Sequence, residues 1–162
     1  MGYSKITSVI FDVDGVLTDG TFFYSVEGKI LKRFGSHDAP AIKKCKSIFN
    51  LQLISADEKG FEISKLRADH LGLPITLVLE DLRSDWIAKN FTREETALVV
   101  DSFTDIPSLI NVARSFAPNN AHPELLKRVS SVLKASGGSG AVAEVLDVLI
   151  YERFGKHLWD IT

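Results

Sequence analysis

Two aspartates near the start of the chain have a spacing suited to phosphoryl-transfer chemistry. Asp12 and Asp14 follow an apolar run that ends at Phe11, and Gly15 comes directly after them. Carboxylates two positions apart normally point to opposite faces of a strand, but a turn at Gly15 can bring both toward one ligand. One carboxylate can then attack phosphorus, while the other protonates the departing oxygen and later activates water. Magnesium prefers oxygen ligands and can hold the nucleophile and the phosphate together.

The same spacing also begins an EF-hand calcium loop, which is the main alternative for this segment. In such a loop the fifth position would be Val16 and the twelfth would be Phe23, where a glutamate is required. A calcium loop is therefore excluded. A turn in which the two aspartates have only a structural role stays open.

Composition and charge limit the classes of partner. The 162 residues include 19 basic and 21 acidic side chains, which give a formal net charge of −2. The two signs are interspersed, so we expect no nucleic-acid partner and no binding to a membrane surface. Cys45 is the only cysteine, which excludes an internal disulfide and a zinc site built from several cysteines. No apolar run approaches the roughly 18 residues of a membrane span, and we expect a cytoplasmic protein.

Apolar runs of strand length alternate with segments of helical periodicity. This alternation predicts one α/β domain over residues 1–162, with a doubly wound parallel sheet, flanking helices and no large cap domain. Ligands bind such sheets at the carboxyl ends of the strands, which is where Asp12 and Asp14 stand. The predicted strands are 8–11, 51–54, 75–79, 96–100 and 115–117, and the predicted helices are 38–49, 59–71, 84–90, 106–113 and 141–154.

One stretch departs from this alternation. Two extended segments, 21–24 and 29–34, flank Gly28, which predicts a β-hairpin inserted after the first strand as an accessory to the core. The apolar residues 22–24 would be exposed together on a single chain. Such a surface favours association with a partner.

Residues 11–20 resemble the first motif of the haloacid dehalogenase-like phosphatases. The likeness is to the branch that includes 3-deoxy-manno-octulosonate 8-phosphate phosphatases, acylneuraminate 9-phosphatases and the C-terminal domain of some acylneuraminate cytidylyltransferases. Further segments follow this branch in order, namely the hairpin, Asp38, 121–124 and 137–142. The resemblance implies magnesium-dependent hydrolysis of a small phosphomonoester of an acidic sugar through an aspartyl-phosphate. It also implies a homotetramer in which neighbouring subunits close each site.

The resemblance also implies roles for individual residues. Asp12 would be the nucleophile and a metal ligand, and Asp14 the general acid/base whose main-chain carbonyl also contacts the metal. Ser55, at the end of the second core strand, would bind a phosphate oxygen, with a plain turn serine as the alternative. Asp101 is the expected further metal ligand, and Asp105 is its supporting carboxylate, with a helix cap as the alternative for Asp105.

The third motif departs most from the family pattern. The family has Ser-Asp-Lys there, and its lysine neutralises the phosphate and the nucleophile, whereas this chain has Trp86 after Ser84 and Asp85. Arg83 and Lys89 each lie three residues from Trp86, so either can share its face on a helix. We predict that Lys89 binds the phosphate, because its long side chain can extend back along that face, whereas Lys59 must reach in from the lengthened turn of the second motif. Trp86 itself is expected to be a packed aromatic residue.

Two function classes remain open at this point. If neither basic residue supplies the missing charge, the protein is a weak or catalytically silent relative that acts as an assembly or binding domain. Ser139 and Ala143 stand where the family often has arginines that meet the substrate's carboxylate or sugar, so the motifs do not specify the sugar. A nucleotide-binding Rossmann module is disfavoured, because no Gly-x-Gly-x-x-Gly follows the first strand.

Overall fold

The computed structural model describes residues 5–161, and its centre is a six-stranded parallel sheet. The spatial order of the strands places the first strand in the middle, between the fourth and the sixth strands of the chain. The strands in chain order are β1 (Ser8–Asp12), β2 (Thr18–Ser25), β3 (Gly28–Phe34), β4 (Asn50–Ser55), β5 (Ile75–Leu77), β6 (Thr96–Val99), β7 (Arg114–Ala117) and β8 (Ser131–Val132). The sheet has the order β5-β4-β1-β6-β7-β8, while β2 and β3 form a separate antiparallel hairpin.

Helices cover both faces of this sheet. Because side chains alternate along a strand, Val9 and Phe11 of β1 pack into one apolar cluster and Ile10 packs into another. The first cluster is covered by α1 (Asp38–Cys45), α2 (Phe61–Leu71) and α5 (Ala141–Phe154). The second is covered by α3 (Glu80–Asn90), α4 (Pro123–Leu126) and the 3₁₀ helix Phe103–Asn111. The predicted doubly wound α/β fold is therefore confirmed.

Each predicted strand has a counterpart in the sheet, but several elements differ from the prediction. The segment 106–113 is not an α-helix, since the 3₁₀ helix Phe103–Asn111 occupies it and contains Pro107, which has no N–H to donate. The segment predicted as a helix from residue 84 begins earlier, at Glu80. The short elements β8 and α4 were not predicted. The predicted domain limits include residues 1–4 and 162, which lie outside the described residues.

The hairpin follows β1 after a short turn, Val13–Leu17, as predicted. Across it Phe23 pairs with Leu31, and these side chains are 47% and 57% exposed. Tyr24 is exposed as well. The hairpin thus presents an apolar surface to solvent. Among the helices of the described chain, none has the length and apolar character that crossing a bilayer requires.

Candidate active site

The turn after β1 places Asp14 and Gly15 at the carboxyl edge of the sheet. Gly15 has a φ of +82°, in the left-handed region that favours glycine. A Cβ atom at Gly15 would lie only 1.7 Å from Oδ2 of Asp101. The hydroxyl of Thr18 accepts a hydrogen bond from the Gly15 N–H at 3.0 Å and so fixes the turn. Glycine is needed here both for the backbone angle and for the close approach of Asp101.

Three carboxylates meet at this edge. Asp12, Asp101 and Asp105 each offer a carboxylate oxygen, and these oxygens lie within 4.8 Å of one another. Asp12 ends β1 and the other two follow β6, which pairs with β1, so the parallel sheet brings residues distant in sequence together. Oδ2 of Asp105 is buried and has no hydrogen-bond partner among the described residues. Three oxygen donors, one of them unsatisfied, fit a divalent cation.

The pKa values of these three carboxyls are raised, chiefly by burial. Burial raises the pKa of Asp101 to about 7, and the charges of Asp105 and Asp14 add to the effect. Burial also raises the pKa of Asp12 well above its ordinary value, although the charge of Arg83 opposes this. The pKa of Asp105 is raised by burial against the same opposing charge. A cation among the three carboxylates would favour their ionised forms.

Arg83 is a buried cation in contact with this cluster. Its Nη1 lies 3.3 Å from Oδ2 of Asp12 and 2.5 Å from Oδ1 of Asp105. Its Nη2 donates to Oδ1 of Asp12 at 3.4 Å. The guanidinium is 2% exposed, and the two carboxylates raise its pKa further above the ordinary value despite its burial. Arg83 therefore carries a fixed positive charge beside the predicted nucleophile.

Lys89, the predicted phosphate ligand, lies away from this cluster. In the described part of the chain, Lys89 is exposed and is not among the residues that line the cleft around Asp12. Since α3 follows β5, it begins at the carboxyl edge of the sheet and runs away from it. Lys89 is six residues beyond Arg83, which corresponds to about 9 Å along the helix axis. The structure thus brings Arg83, not Lys89, to the carboxylates.

Trp86 packs against Phe91, with ring centroids 5.6 Å apart. Both rings lie against the apolar cluster that contains Ile87. The expectation of a packed aromatic residue is therefore confirmed. The position that faces the carboxylates is residue 83, three positions before Trp86.

Asp14 faces the hairpin on another wall of the cleft. Nζ of Lys32 lies 2.8 Å from Oδ1 of Asp14 and donates to Oδ2 at 3.0 Å. The same ammonium lies 2.8 Å from Oδ2 of Asp57 and donates to Oγ of Ser64 at 2.8 Å. Lys29 pairs with Asp57 as well. The hairpin therefore supplies two cations to the site, which the sequence interpretation of it as an accessory did not anticipate.

Ser55 ends β4 and is buried beside Asp14. Its hydroxyl donates to Oδ2 of Asp14 at 3.4 Å, and its oxygen accepts a hydrogen bond from the N–H of Asp57 at 3.2 Å. The next residues, Ala56 and Asp57, line the cleft, whereas Ser55 is not among the described lining residues. The predicted phosphate ligand is thus at the expected strand end, in contact with the predicted acid/base.

These groups surround one cleft of about 640 Å³, a size suited to a small ligand. Asp12, Asp101 and Arg83 line one part of it, and Asp14 and Lys29 line another. Apolar surface comes from Phe22 and Leu79. The cleft therefore combines the carboxylate of the predicted nucleophile, carboxylate oxygens that fit a divalent cation, the carboxylate of the predicted acid/base and cations that suit an anionic ligand.

Comparison with known proteins finds phosphatases that match most of the chain. The chain is 30% identical over 161 residues to the 3-deoxy-D-manno-octulosonate 8-phosphate phosphatase KdsC of Haemophilus influenzae, covering 96% of this chain and 89% of that protein. It is 32% identical over 153 residues to KdsC of Escherichia coli strain K12, covering 90% and 80%. The solved structure of the cobalt-bound Haemophilus influenzae phosphatase matches with a TM-score of 0.83 at 30% identity, over 94% of this chain and 92% of that one. No family model matches the chain.

Proposed function

The chain belongs to the haloacid dehalogenase-like family of 3-deoxy-D-manno-octulosonate 8-phosphate phosphatases, which are phosphomonoester hydrolases, and we propose that it hydrolyses the phosphate ester of an acidic sugar. The proposed substrates are 3-deoxy-manno-octulosonate 8-phosphate or a nonulosonate 9-phosphate. The observation that carries the proposal is the contact of the buried Arg83 guanidinium with Asp12. This contact supplies the charge that a phosphatase needs beside its nucleophile.

Asp12 is the proposed nucleophile. Its carboxylate oxygen attacks phosphorus, the new bond to phosphorus forms, and the bond between phosphorus and the ester oxygen breaks. Asp14 gives its proton to the departing oxygen, so that the sugar leaves with a neutral hydroxyl group and not as an alkoxide. The charge of Arg83 opposes the effect of burial on the pKa of Asp12 and so favours the ionised nucleophile.

The second step releases phosphate from the aspartyl-phosphate. Asp14, now ionised, takes a proton from a water molecule, and the water oxygen attacks phosphorus. The bond between phosphorus and the Asp12 oxygen then breaks, which restores the Asp12 carboxylate and frees inorganic phosphate. Ser55 is the proposed ligand of a phosphate oxygen, since its hydroxyl stands at the end of β4 and its bond to Asp14, at 3.4 Å, is long enough to be exchanged.

Asp12 and Asp101 are the proposed side-chain ligands of a divalent cation, together with the main-chain carbonyl of Asp14. Asp105 is the proposed supporting carboxylate, and its oxygen lies close enough to be a third side-chain ligand. When bound, the cation offsets the repulsion between the nucleophile and the phosphate. Magnesium is the proposed ion because the side-chain donors are all carboxylates. The Haemophilus relative has been solved with cobalt, which agrees with a site for a divalent cation.

Charge balance supports the same assignment. Three carboxylates and Arg83 leave two negative charges, which one divalent ion balances. A phosphate ester brings further negative charge, so another cation is needed nearby. Lys29, which lines the cleft, is in place to provide it. The alternative, a catalytically silent binding domain, requires that no cation reaches the nucleophile. The contact of Arg83 with Asp12 argues against this alternative.

The proposed assembly is a homotetramer that packs through the hairpin. Phe23, Tyr24 and Leu31 are exposed there on a single chain, and burying them against other subunits would remove apolar surface from water. The proposed location is the cytoplasm. The thiol of Cys45 is free and buried, which suits a reducing compartment.

The test is phosphate release by the purified protein with magnesium or with a chelator. The substrates are 3-deoxy-manno-octulosonate 8-phosphate, a nonulosonate 9-phosphate and glucose 6-phosphate as a neutral sugar. We expect magnesium-dependent turnover that is fastest with an acidic sugar and that Asp12→Asn abolishes. Asp85→Asn, at an exposed aspartate of α3, is the matched control and is expected to keep activity. Full activity in Asp12→Asn, or no turnover by the unmodified protein, would overturn the proposal.

A further inference from the structure

We propose that Lys32 is a positioning residue that fixes the carboxylate of Asp14 for proton transfer to the leaving group. Lys32 belongs to β3 of the hairpin, whereas Asp14 belongs to the turn after β1. The role depends on the proposed function, in which Asp14 is the general acid/base. It assigns to the hairpin a direct part in organising the active site.

The first support is the saturation of the Lys32 ammonium. An ammonium has three N–H donors, and three side chains lie around this one. The Nζ atom is 2.8 Å from Asp14, 2.8 Å from Asp57 and 2.8 Å from Ser64. The side chain of Lys32 has 0% exposure. A buried ammonium is stable only when it is paired in this way, so its position is defined by its three partners.

The second support is the number of segments that meet at this atom. Asp57 lies in the loop after β4, and Ser64 lies in α2, so Nζ of Lys32 connects the hairpin to the turn, the loop and the helix. Asp57 is fixed in turn, because its Oδ1 accepts a hydrogen bond from the N–H of Gly60 at 3.1 Å. The ammonium is therefore held by elements outside the hairpin.

The third support is the way Asp14 is held. Oδ1 and Oδ2 of Asp14 lie 2.8 Å and 3.0 Å from Nζ of Lys32, and Oδ2 also accepts from Ser55. The two hydrogen bonds to Oδ2 restrain the rotation of the carboxylate, while Oδ1 has no hydrogen-bond partner among the described residues. A general acid must lie within hydrogen-bond distance of the leaving oxygen, and small displacements lower the rate strongly.

Lys32 does not suit direct contact with the substrate. Its ammonium has hydrogen bonds to Asp14 and Ser64 and an ion pair with Asp57, and its side chain has 0% exposure, so a bond to phosphate would require the loss of one of these partners. Lys29 differs, because its side chain is 5% exposed and it lines the cleft. The effect of Lys32 on the reaction therefore passes through Asp14.

The test compares Lys32→Met on two esters. The sugar phosphate has an alkoxide leaving group that needs a proton, whereas 4-nitrophenyl phosphate has a leaving group that departs without one. The quantity is kcat/KM, which reports the formation of the aspartyl-phosphate. We expect a loss of roughly a hundredfold on the sugar phosphate, the scale of general acid catalysis, and a loss several-fold smaller on 4-nitrophenyl phosphate.

Two further variants calibrate this comparison. Asp14→Asn removes the acid itself and is expected to show the same dependence on the leaving group with a larger loss. Lys29→Met removes the neighbouring lysine, which also pairs with Asp57 but has no hydrogen bond or ion pair to Asp14 among the described residues, and any loss there is expected to be equal on both esters. If Lys32→Met does not fold, as judged by circular dichroism, Ser64→Ala removes one acceptor from Lys32 and is expected to show the same leaving-group dependence at smaller size.

The outcomes separate the role of Lys32 from the function of the protein. Equal losses on both esters in Lys32→Met, or in Ser64→Ala where that variant stands in for it, would overturn the positioning role, and so would no loss on either. If the unmodified protein hydrolyses neither ester, or if Asp14→Asn shows no dependence on the leaving group, the proposed function fails instead.

Discussion

Nη1 of Arg83 lies 3.3 Å from Oδ2 of Asp12, and both side chains are buried. The pair joins the beginning of α3 to the end of β1 and places a permanent positive charge beside the predicted nucleophile. In the family pattern a lysine provides this charge, and Trp86 stands in its place in the sequence motif. The guanidinium of Arg83 also contacts Asp105, so one side chain organises two of the three clustered carboxylates.

The first prediction concerns Arg83. Removing one electrostatic group of this kind lowers kcat by roughly 10²–10³-fold, and we expect a loss of that size in Arg83→Met. Arg83→Lys keeps the charge but loses the second nitrogen that reaches Asp12, so an intermediate kcat is expected. Lys89→Met is the matched control on the same helix and is expected to keep its kcat. The measurement is phosphate release at saturating magnesium. A larger loss of kcat in Lys89→Met than in Arg83→Met would contradict the prediction.

The second prediction concerns the turn at Gly15. An L-residue at positive φ costs about 1–2 kcal/mol, and this cost applies both to Gly15→Ala and to the control Gly155→Ala. Only at Gly15 would the added Cβ also meet Asp101, since no described atom lies within 4 Å of that position at Gly155. We expect Gly15→Ala to lower Tm further and to impair magnesium binding, as measured by calorimetry. Equal Tm shifts with intact magnesium binding would argue against it.

The third prediction concerns pH. The pKa of Asp101 is raised to about 7 by burial and by the neighbouring charges of Asp105 and Asp14. A metal ion must displace the Asp101 proton, so magnesium affinity is expected to rise with pH up to about 7 and to level off above it. Calorimetric titrations between about pH 6 and about pH 8 check this. An affinity that is flat across this range would contradict it.

The same pKa shift has the opposite effect on the stability of the metal-free protein. The folded-state pKa of Asp101 lies above the unfolded-state value of about 3.9, so the folded state binds the proton more tightly. Protonated Asp101 therefore contributes to the free energy of unfolding at low pH. This contribution is lost as pH rises from about 4 through about 7. In Asp101→Asn this fall in stability with rising pH is expected to be absent. Denaturation of the metal-free protein and of the variant at several pH values measures the difference.

The fourth prediction concerns assembly through the hairpin. Leu31 is 57% exposed beside Phe23, and Leu66 of α2 is 59% exposed outside the hairpin. A charge at the proposed interface would be buried without a partner, so Leu31→Glu is expected to dissociate the proposed tetramer. Leu66→Glu is the control for the effect of the same substitution elsewhere. Light scattering coupled to size-exclusion chromatography distinguishes the two, and an unchanged mass in Leu31→Glu would count against this interface.

Much of the fold follows from local patterns in the sequence. The strands of the sheet are apolar runs that need no distant information, and the turn after Asp12 requires a glycine at position 15. By contrast, β8 has two residues and α4 has four, which is too short for any periodicity to appear. The segment at Pro107 is apolar at helical spacing, but its proline favours the 3₁₀ form that the structure shows.

The site was predicted only in part, because helix spacing alone does not say which turn of α3 meets the carboxylates. Arg83 and Lys89 are equally distant from Trp86 in sequence, yet only residue 83 lies near the helix start at the sheet edge. The hairpin lysines were missed for a different reason. β3 contains Lys29, Lys32 and Arg33 beside its apolar residues, so the sequence does not show which of these basic side chains is buried.

The most direct test of the central claim is to trap the aspartyl-phosphate. The protein is mixed with 3-deoxy-manno-octulosonate 8-phosphate and magnesium, quenched in acid within the first turnover and treated with borohydride, which reduces an acyl phosphate to an alcohol. Peptide mass spectrometry is expected to find the reduced side chain at Asp12 and at no other aspartate. A reduced side chain at another residue, or phosphate release without any reduced aspartate, would contradict the account.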